Sequence, residues 1–212
     1  MFADDAKCAK LISEPSDCTL LQEDLNALCS WSNEWKMKFK ESKCVAMSCC
    51  TRASAAVQIQ YQNSHRDLGL IFSSDLSFTA HYTHITSRAY RVLGLIRRTF
   101  SRKSNVHGKK MLYLSLVRSQ MFYCSQLWRP HLMKDIVQLE RVQKRATKYI
   151  LSDFDSDYKT RLITLDLLPL MYELELRDIM FCVKMLQSPI RDFNIKDYIS
   201  FSDCGTRSSA DP

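Results

Sequence analysis

Glycine and proline are scarce in this chain: its 212 residues include 4 glycines and 5 prolines. An all-β or loop-rich protein needs these residues at its many turns, so their scarcity argues against both classes and favours helix. The glycines are also scattered, which excludes a phosphate-binding loop and a G-x-G-x-x-G turn. The chain therefore has neither of the two common glycine-rich phosphate-binding motifs.

Long apolar runs are missing as well. No uncharged apolar run reaches the ~18 residues that a membrane span requires, and residues 1–10 lack the apolar stretch behind a basic flank that marks a secretion signal. The nine cysteines include no C-x-x-C pair and no zinc-finger spacing, which favours reduced thiols over disulfides or a zinc site. We expect an intracellular protein of the nucleus or cytoplasm, not secreted and without a membrane partner.

Acidic residues are absent from positions 76–134, although the whole chain carries 23 of them. The same stretch holds eleven bases, and the chain has a net charge of +7. A solvated helix face with counter-charges elsewhere would account for this pattern. So long a run without an acid instead favours a polyanionic partner, most often nucleic acid.

The first third of the chain has mixed periodicity. The segment SEPSDCTLLQEDLNALCSWSNEWKMKF is predicted to form a long amphipathic helix, with Ser13 or Ser16 as its cap and Pro15 in its first turn. Its tryptophans, Trp31 and Trp35, are expected to anchor a core. KCVAMSCC, AVQIQYQ and RDLGLIF are each predicted to form a strand. Residues 1–75 therefore indicate a small unit of helix and sheet.

The rest of the chain is predicted to be helical. Apolar residues at three- and four-residue spacing indicate helices in SFTAHYTHITSRAYRVLGLIRRTFS, GKKMLYLSLVRSQMFYCSQLW and HLMKDIVQLERVQKRATKYIL. One or two more helices follow, divided near Leu168–Pro169. The helical part divides into residues 76–151 and 152–203, and the polar residues 204–212 are predicted to be disordered.

Two pairs of side chains are candidates for a metal site. Asp4 and Asp5 are adjacent; such acids at a terminus are usually solvent-exposed, whereas at the tip of a β-hairpin they can hold catalytic metal ions. His81 and His84 lie three residues apart on a predicted helix and could share a metal. Because no carboxylate or thiol is near them in sequence, a surface or boundary position is expected for both histidines.

Several segments resemble, in order, parts of one enzyme family. FADD is similar to the aromatic-x-Asp-Asp box that forms a hairpin tip in the palm of reverse transcriptases. LNALCSWSNEWKMKFKESKC resembles the helix and strand that follow this box in LINE-type, jockey-like retrotransposon enzymes. HRDLGLIFSSDLSFTAHYTHITSRAYRVLGLIRRTF looks like the next palm element and the start of the thumb, and LYLSLVRSQMFYCSQLWRPHLMKDIVQLERVQKRATKYIL looks like the helical region after it. The chain is thus similar to the C-terminal part of a non-LTR retrotransposon reverse transcriptase.

The resemblance implies an α+β fold, with a truncated palm fragment (a helix and a small antiparallel sheet) followed by a mostly α-helical thumb-like bundle. It also implies an RNA-directed DNA polymerase in which Asp4 and Asp5 would be catalytic ligands of magnesium or manganese. The thumb would hold a primer–template duplex of RNA and DNA through its phosphates. The residues that could contact the nucleic acid are Arg88, Arg91, Arg97, Arg98, Lys109, Lys110, Arg118, Arg141, Lys144, Arg145 and Lys148. Some of these bases are expected to be solvated or to pair with acids such as Glu140 and Asp135.

The resemblance also limits what is expected of the chain by itself. In the family, a third metal-binding carboxylate and the nucleotide-gripping fingers come from upstream elements, so weak or no metal binding and no polymerase activity are expected here. Two alternatives are a stand-alone helical module that binds nucleic acid or protein without catalysis, and a retrotransposon remnant without function. A metal-dependent nuclease using Asp4 and Asp5 is disfavoured, because no further Asp, Glu and His cluster lies at ligand spacing.

Overall fold

The computed structural model describes residues 7–40, 44–47 and 63–187. The backbone divides into two compact units: the described residues up to 63 belong to the first, and residues 64–187 belong to the second. Helices dominate the described residues, and a two-stranded antiparallel sheet accompanies them. This content confirms the α+β class.

Helix α1, Pro15–Glu34, lies in the first unit. Pro15 takes the first helical position, as predicted, because the N–H that proline lacks would have no intrahelical partner there. The N-cap is Glu14 rather than either predicted serine. The Asp17 carboxylate accepts a hydrogen bond from the Glu14 backbone N–H at 2.9 Å, which fixes the first turn.

The apolar spacing of α1 produces a half-buried face that includes Leu21, Leu25 and Leu28. The helix ends earlier than predicted, and Trp35 beyond its end is 64% exposed, so the prediction that Trp35 anchors a core is wrong. Trp31 is half-buried. The predicted strand AVQIQYQ lies outside the described residues, and so does half of the predicted strand KCVAMSCC.

Strands β1 (Ser64–Asp67) and β2 (Leu70–Ser73) form an antiparallel hairpin, whereas the sequence predicted one strand across RDLGLIF. The turn residues Leu68 and Gly69 have φ angles of 44° and 89°, and two positive φ values suit the twist of a two-residue hairpin. Tyr123 donates its hydroxyl hydrogen bond to the Leu68 carbonyl oxygen at 2.9 Å. This tertiary contact stabilises a turn conformation that leucine rarely adopts.

Helices α2 (Thr79–Thr99) and α6 (Met133–Leu151) confirm two of the predicted helices, and they pack against each other. Their apolar faces follow the predicted spacing and supply the centre of the core. Ala89, Val142 and Ala146 have 0% exposure, and such small side chains permit close packing of the two helices.

The region predicted as one helix over GKKMLYLSLVRSQMFYCSQLW is a series of shorter segments. They are α3 (Val106–Leu112), a π-helical turn (Tyr113–Arg118), α4 (Ser119–Phe122) and α5 (Ser125–Trp128). The chain bends between α4 and α5, where Cys124 has a φ of 52°. The prediction of a single continuous helix is therefore wrong.

Tertiary hydrogen bonds explain this break. The Trp128 indole N–H donates to the Tyr123 carbonyl oxygen at 2.8 Å, and the Tyr82 hydroxyl donates to the Trp128 carbonyl oxygen at 2.9 Å. These donors satisfy carbonyl groups at helix ends, which lack an intrahelical partner. The break also buries the Trp128 side chain, which is 1% exposed.

Helices α7 (Tyr158–Thr164) and α8 (Leu170–Gln187) confirm that the last helical stretch is divided in two. Leu170 and Leu174 attach α8 to the core, with exposures of 2% and 3%. Glu140 of α6 accepts a hydrogen bond from the Leu170 N–H at 2.9 Å and so satisfies a free amide at the start of α8. Of the helices in the described part of the chain, none combines the length and apolar character needed to cross a bilayer.

Candidate functional site

The acid pair Asp4 and Asp5 lies outside the described residues. Within the described ranges, no group of three His, Cys, Asp or Glu side chains is placed to hold a metal ion. The described residues instead bring together positive charge, on helices α2 and α6.

The solvent-facing side of α6 carries five basic side chains, which we call the α6 basic face. Residues three and four apart share a helix face, and here this spacing places the bases opposite the buried Leu139, Val142 and Ala146. Among the described residues, none of the five forms an ion pair with a carboxylate. All but the half-buried Lys148 are exposed, and the set is Lys134, Arg141, Lys144, Arg145 and Lys148.

The two acids of α6 do not neutralise this face, although Glu140 and Asp135 are predicted from the sequence as partners for some of the bases. Asp135 is 5% exposed, on the buried side of the helix. Glu140 accepts hydrogen bonds from the Tyr158 hydroxyl and the Leu170 N–H. Neither acid forms an ion pair with any of the described bases, so the positive charge of the α6 basic face is uncompensated there.

A cavity of about 300 Å³ is formed by the C-terminal turns of α2 and α6 and the loops that follow them. We call it the α2–α6 pocket. Its lining contains four bases and no acid, and it consists of Arg97, Arg102, Arg145, Lys148, Tyr149, Ser152 and Phe154. Converging like charges create a strongly positive potential that attracts an anion.

Backbone carbonyls beside the α2–α6 pocket already accept hydrogen bonds from side chains of the protein. The Tyr149 hydroxyl donates to the carbonyl oxygens of Ile96 and Phe100 at 3.3 and 3.0 Å. Lys109 Nζ donates to the carbonyl oxygens of Arg102 and Tyr149 at 3.0 and 3.4 Å. Basic side chains near a helix C-terminus often bond its last carbonyls. Because other donors occupy these carbonyls, the cationic groups of the pocket are left for an external anion.

Two pocket arginines lie over aromatic rings. The guanidinium carbon of Arg102 is 5.2 Å from the centre of the Phe154 ring, and that of Arg145 is 5.6 Å from the centre of the Tyr90 ring. Such cation–π contacts hold the plane of the guanidinium and leave its N–H edges for a phosphate. Phe154 itself is 50% exposed.

Arg88, Arg91 and Arg98 lie on the exposed face of α2 and form a second positive patch. The pKa of the half-buried His84 is sensitive to this patch. Burial lowers the pKa, and the charges of Arg66, Arg88 and Arg91 lower it further. A nearby cation disfavours a second one, so the patch is positive at the surface of α2.

Two members of the predicted nucleic-acid-binding set are buried. Lys109 is 2% exposed, its ammonium group bonds backbone carbonyls, and burial lowers its pKa. Arg118 is 7% exposed, and its Nη2 lies 3.1 Å from Glu173 Oε2, an ion pair that lacks the alignment of a hydrogen bond. Side chains held inside the protein cannot reach a phosphate, so Lys109 and Arg118 are structural residues. Lys110, beside Lys109, is half-buried.

The surface or boundary position expected for His81 is wrong, because His81 is 1% exposed. Its ring centre lies 5.4 Å from that of Trp128 and 6.4 Å from that of Phe78. Its Nδ1 accepts the Ile71 N–H at 3.4 Å. Burial lowers the pKa of His81 to about 4. A neutral imidazole packed among aromatic rings is a core residue.

The predicted nucleic-acid-binding set does not include Arg102, Lys134 or Phe154. Arg102 and Lys134 belong to the eleven bases of the acid-free stretch, so composition did contain a signal for them. Phe154 lies in the loop sequence DFDSD, where no periodicity marks it. Only the tertiary arrangement of α2 and α6 brings Phe154 to the α2–α6 pocket.

Comparison of the chain with protein-family models, curated proteins and solved structures gives no match. The site consists of exposed cations on the adjacent helices α2 and α6 and of a pocket lined by Arg97, Arg102, Arg145 and Lys148 together with the aromatic ring of Phe154.

Proposed function

We propose that the second unit binds nucleic acid through its phosphate backbone, as the thumb-like part of a protein related to non-LTR retrotransposon reverse transcriptases. The observation that carries the proposal is the α6 basic face, continued by the α2–α6 pocket. All of these bases except the half-buried Lys148 are exposed, all lie on α2, on α6 or in the loop after α2, and none forms an ion pair among the described residues. Cations placed in this way are suited to phosphates.

Backbone recognition requires spaced cations on a rigid support rather than a reading of base edges. From Lys134 to Lys148 the α6 basic face extends by about 20 Å, since each helical residue rises by about 1.5 Å. One strand of a duplex presents a phosphate about every 3.4 Å along its axis, so the face can meet several phosphates at once. The arginines can bind them bidentately and the lysines as point charges.

In this assignment α1 and the hairpin correspond to the palm-like part, and the helices from α2 onward correspond to the thumb-like part. Asp4 and Asp5 would be the ligands of magnesium or manganese in the polymerase. A stand-alone helical module without catalysis would use the same basic surface and would not need the acid pair. Nucleic-acid binding is common to both interpretations and is the function that the site supports best.

The salt dependence of binding tests the proposal. A labelled RNA–DNA duplex of arbitrary sequence is titrated with the protein, and binding is followed by fluorescence anisotropy at several salt concentrations. Each phosphate contact contributes about −0.9 to the slope of log K against log salt, so about five contacts predict a slope of about −4.5. Replacing both Arg141 and Lys144 with glutamine should reduce the magnitude of this slope by about 2. The reduction should be the same for duplexes of unrelated sequence.

A second double variant provides the matched control. Lys159 on α7 and Lys184 on α8 are exposed lysines outside the α6 basic face. Changing both to glutamine removes the same charge as Arg141→Gln with Lys144→Gln, yet should leave the slope near its wild-type value. An affinity indifferent to salt, or an equal loss in this control, contradicts the proposal.

A further inference from the structure

We infer that the α2–α6 pocket holds an unpaired nucleotide, with its phosphate among the four basic side chains of the pocket and its nucleobase stacked on Phe154. The inference rests on the proposed function and narrows it to one site and one kind of strand. It is carried by three features of the pocket: its charge, its aromatic edge and its fixed backbone.

The positive charge of the pocket favours the binding of an anion. Four bases line a cavity of about 300 Å³ without an acid among the lining residues, and like charges this close repel one another unless an anion lies between them. The loop after α6 does contain acids, but two of them are engaged locally. Asp153 and Asp157 accept hydrogen bonds from backbone N–H groups of their own segment. A phosphate can therefore enter the pocket without displacing a carboxylate from its lining.

The position of Phe154 indicates that the nucleotide bound in the pocket is unpaired. Phe154 lines the pocket and is 50% exposed as a residue, and the Arg102 guanidinium carbon lies 5.2 Å from the centre of its ring. Aromatic rings and guanidinium planes are the surfaces on which unpaired bases stack. In the interior of a blunt duplex the faces of the nucleobases are covered by their neighbours, so the length of the duplex offers only phosphates. A single strand offers both a phosphate for the basic side chains of the pocket and an unstacked nucleobase for Phe154.

The backbone around the pocket is fixed before any ligand binds. Ser152 Oγ donates to the Arg102 carbonyl oxygen at 3.0 Å, and Lys109 Nζ lies within hydrogen-bond distance of both groups, at 3.4 and 3.0 Å. These bonds join the loop after α2 to the loop after α6. A site held in its binding geometry loses less conformational entropy when a ligand arrives.

The test compares three labelled probes bound to the full chain: a short single strand, a blunt duplex, and the same duplex with an unpaired overhang. Phe154→Leu keeps an apolar side chain but removes the aromatic face. It should weaken binding of the single strand and the overhang by between about fivefold and a hundredfold, and leave the blunt duplex unchanged. Phe154→Trp should retain the affinity for all three probes.

The matched control is Ile163→Ala, which removes apolar surface from a residue of α7 that is 70% exposed; it should change no affinity. Circular dichroism should show an unchanged unfolding midpoint for the Phe154 variants, since the side chain is half exposed. If Phe154→Leu weakens all three probes equally, or none of them, the inference is wrong, while salt-dependent binding by the wild type still supports the proposed function. If the wild type binds no probe, the proposed function fails and the inference fails with it.

Discussion

His81 makes contacts in the core that only a neutral imidazole can make. Its Nδ1 must be unprotonated to accept the Ile71 N–H, and its Nε2 has no hydrogen-bond partner among the described residues. Protonation would therefore place a charge among the rings of Phe78 and Trp128, and it would replace the Nδ1 acceptor with an N–H that faces the Ile71 N–H, so both donors would be unpaired. Burial, and to a smaller extent the nearby His84, lowers the pKa of His81 to about 4.

Mild acid should therefore destabilise the protein through His81. A histidine in the unfolded chain has a pKa of about 6.5, so above that pH the residue is neutral in both states. As the pH falls from about 6.5 towards about 4, the unfolded state binds the proton first, and up to about 3 kcal/mol of folding free energy is lost. Urea unfolding across this range should show the loss in the wild type and in the exposed-histidine control His107→Gln. A His81→Leu variant that keeps the wild-type pH dependence would refute this account.

At the scale of elements, α6 joins its neighbours through a buried hydrogen-bond network. The Tyr113 hydroxyl donates to Gln143 Oε1 at 2.8 Å, and Gln143 Nε2 donates to the Tyr158 hydroxyl oxygen at 3.2 Å. The Tyr158 hydroxyl in turn donates to Glu140, which also accepts the Leu170 N–H. The network thus connects the π-helical turn, α7 and the start of α8 to one helix, and each of these bonds satisfies a polar group that burial removes from water.

Removing the carboxylate of Glu140 should loosen α8. Glu140→Ala leaves the Leu170 N–H and the Tyr158 hydroxyl without their acceptor, at a cost of about 2–3 kcal/mol in the free energy of unfolding. Amide hydrogen exchange should speed up first at the N-terminal turn of α8. Glu175→Ala is the matched control, because Glu175 is half exposed and lies 4.0 Å from Arg129, so its loss should cost less than about 0.5 kcal/mol. Equal costs for the two variants would show that Glu140 does not hold α8.

An element can be predicted from the sequence when the residues that determine it are close together in the chain. Helices α2 and α6 follow from one apolar face at regular spacing, and the bases of α6 follow from the same spacing on the other side. The break at Cys124 does not follow from such spacing, because it depends on the hydrogen bonds that join Tyr82 to Trp128 and Trp128 to Tyr123. The α2–α6 pocket was missed for the same reason: its aromatic edge, Phe154, becomes part of a site only when two helix ends are packed together.

For the whole molecule, the described core and the described positive surface belong to the same unit. Every residue of the described core cluster lies between Leu70 and Leu174. The α6 basic face and the α2–α6 pocket lie within the same range, on helices whose opposite faces form that core. Residues 64–187 thus contain both the apolar contacts that stabilise this unit and the cations proposed to bind nucleic acid.

The fragment 64–187 should consequently fold and bind nucleic acid without the first unit. Its thermal midpoint should lie within about 4 °C of the corresponding transition of the full chain, the shift that about 1 kcal/mol produces, and its salt slope should be unchanged. A fragment 64–157 is the control, because it lacks the buried Leu162, Leu165, Leu167, Leu170 and Leu174. Burial of those five side chains contributes roughly 10 kcal/mol, comparable to the whole stability of a small domain at about 5–15 kcal/mol, so this fragment should be unfolded by circular dichroism. If 64–187 is unfolded as well, the core of this unit depends on residues outside that range, and the surface proposed to bind nucleic acid is not supported by this unit alone.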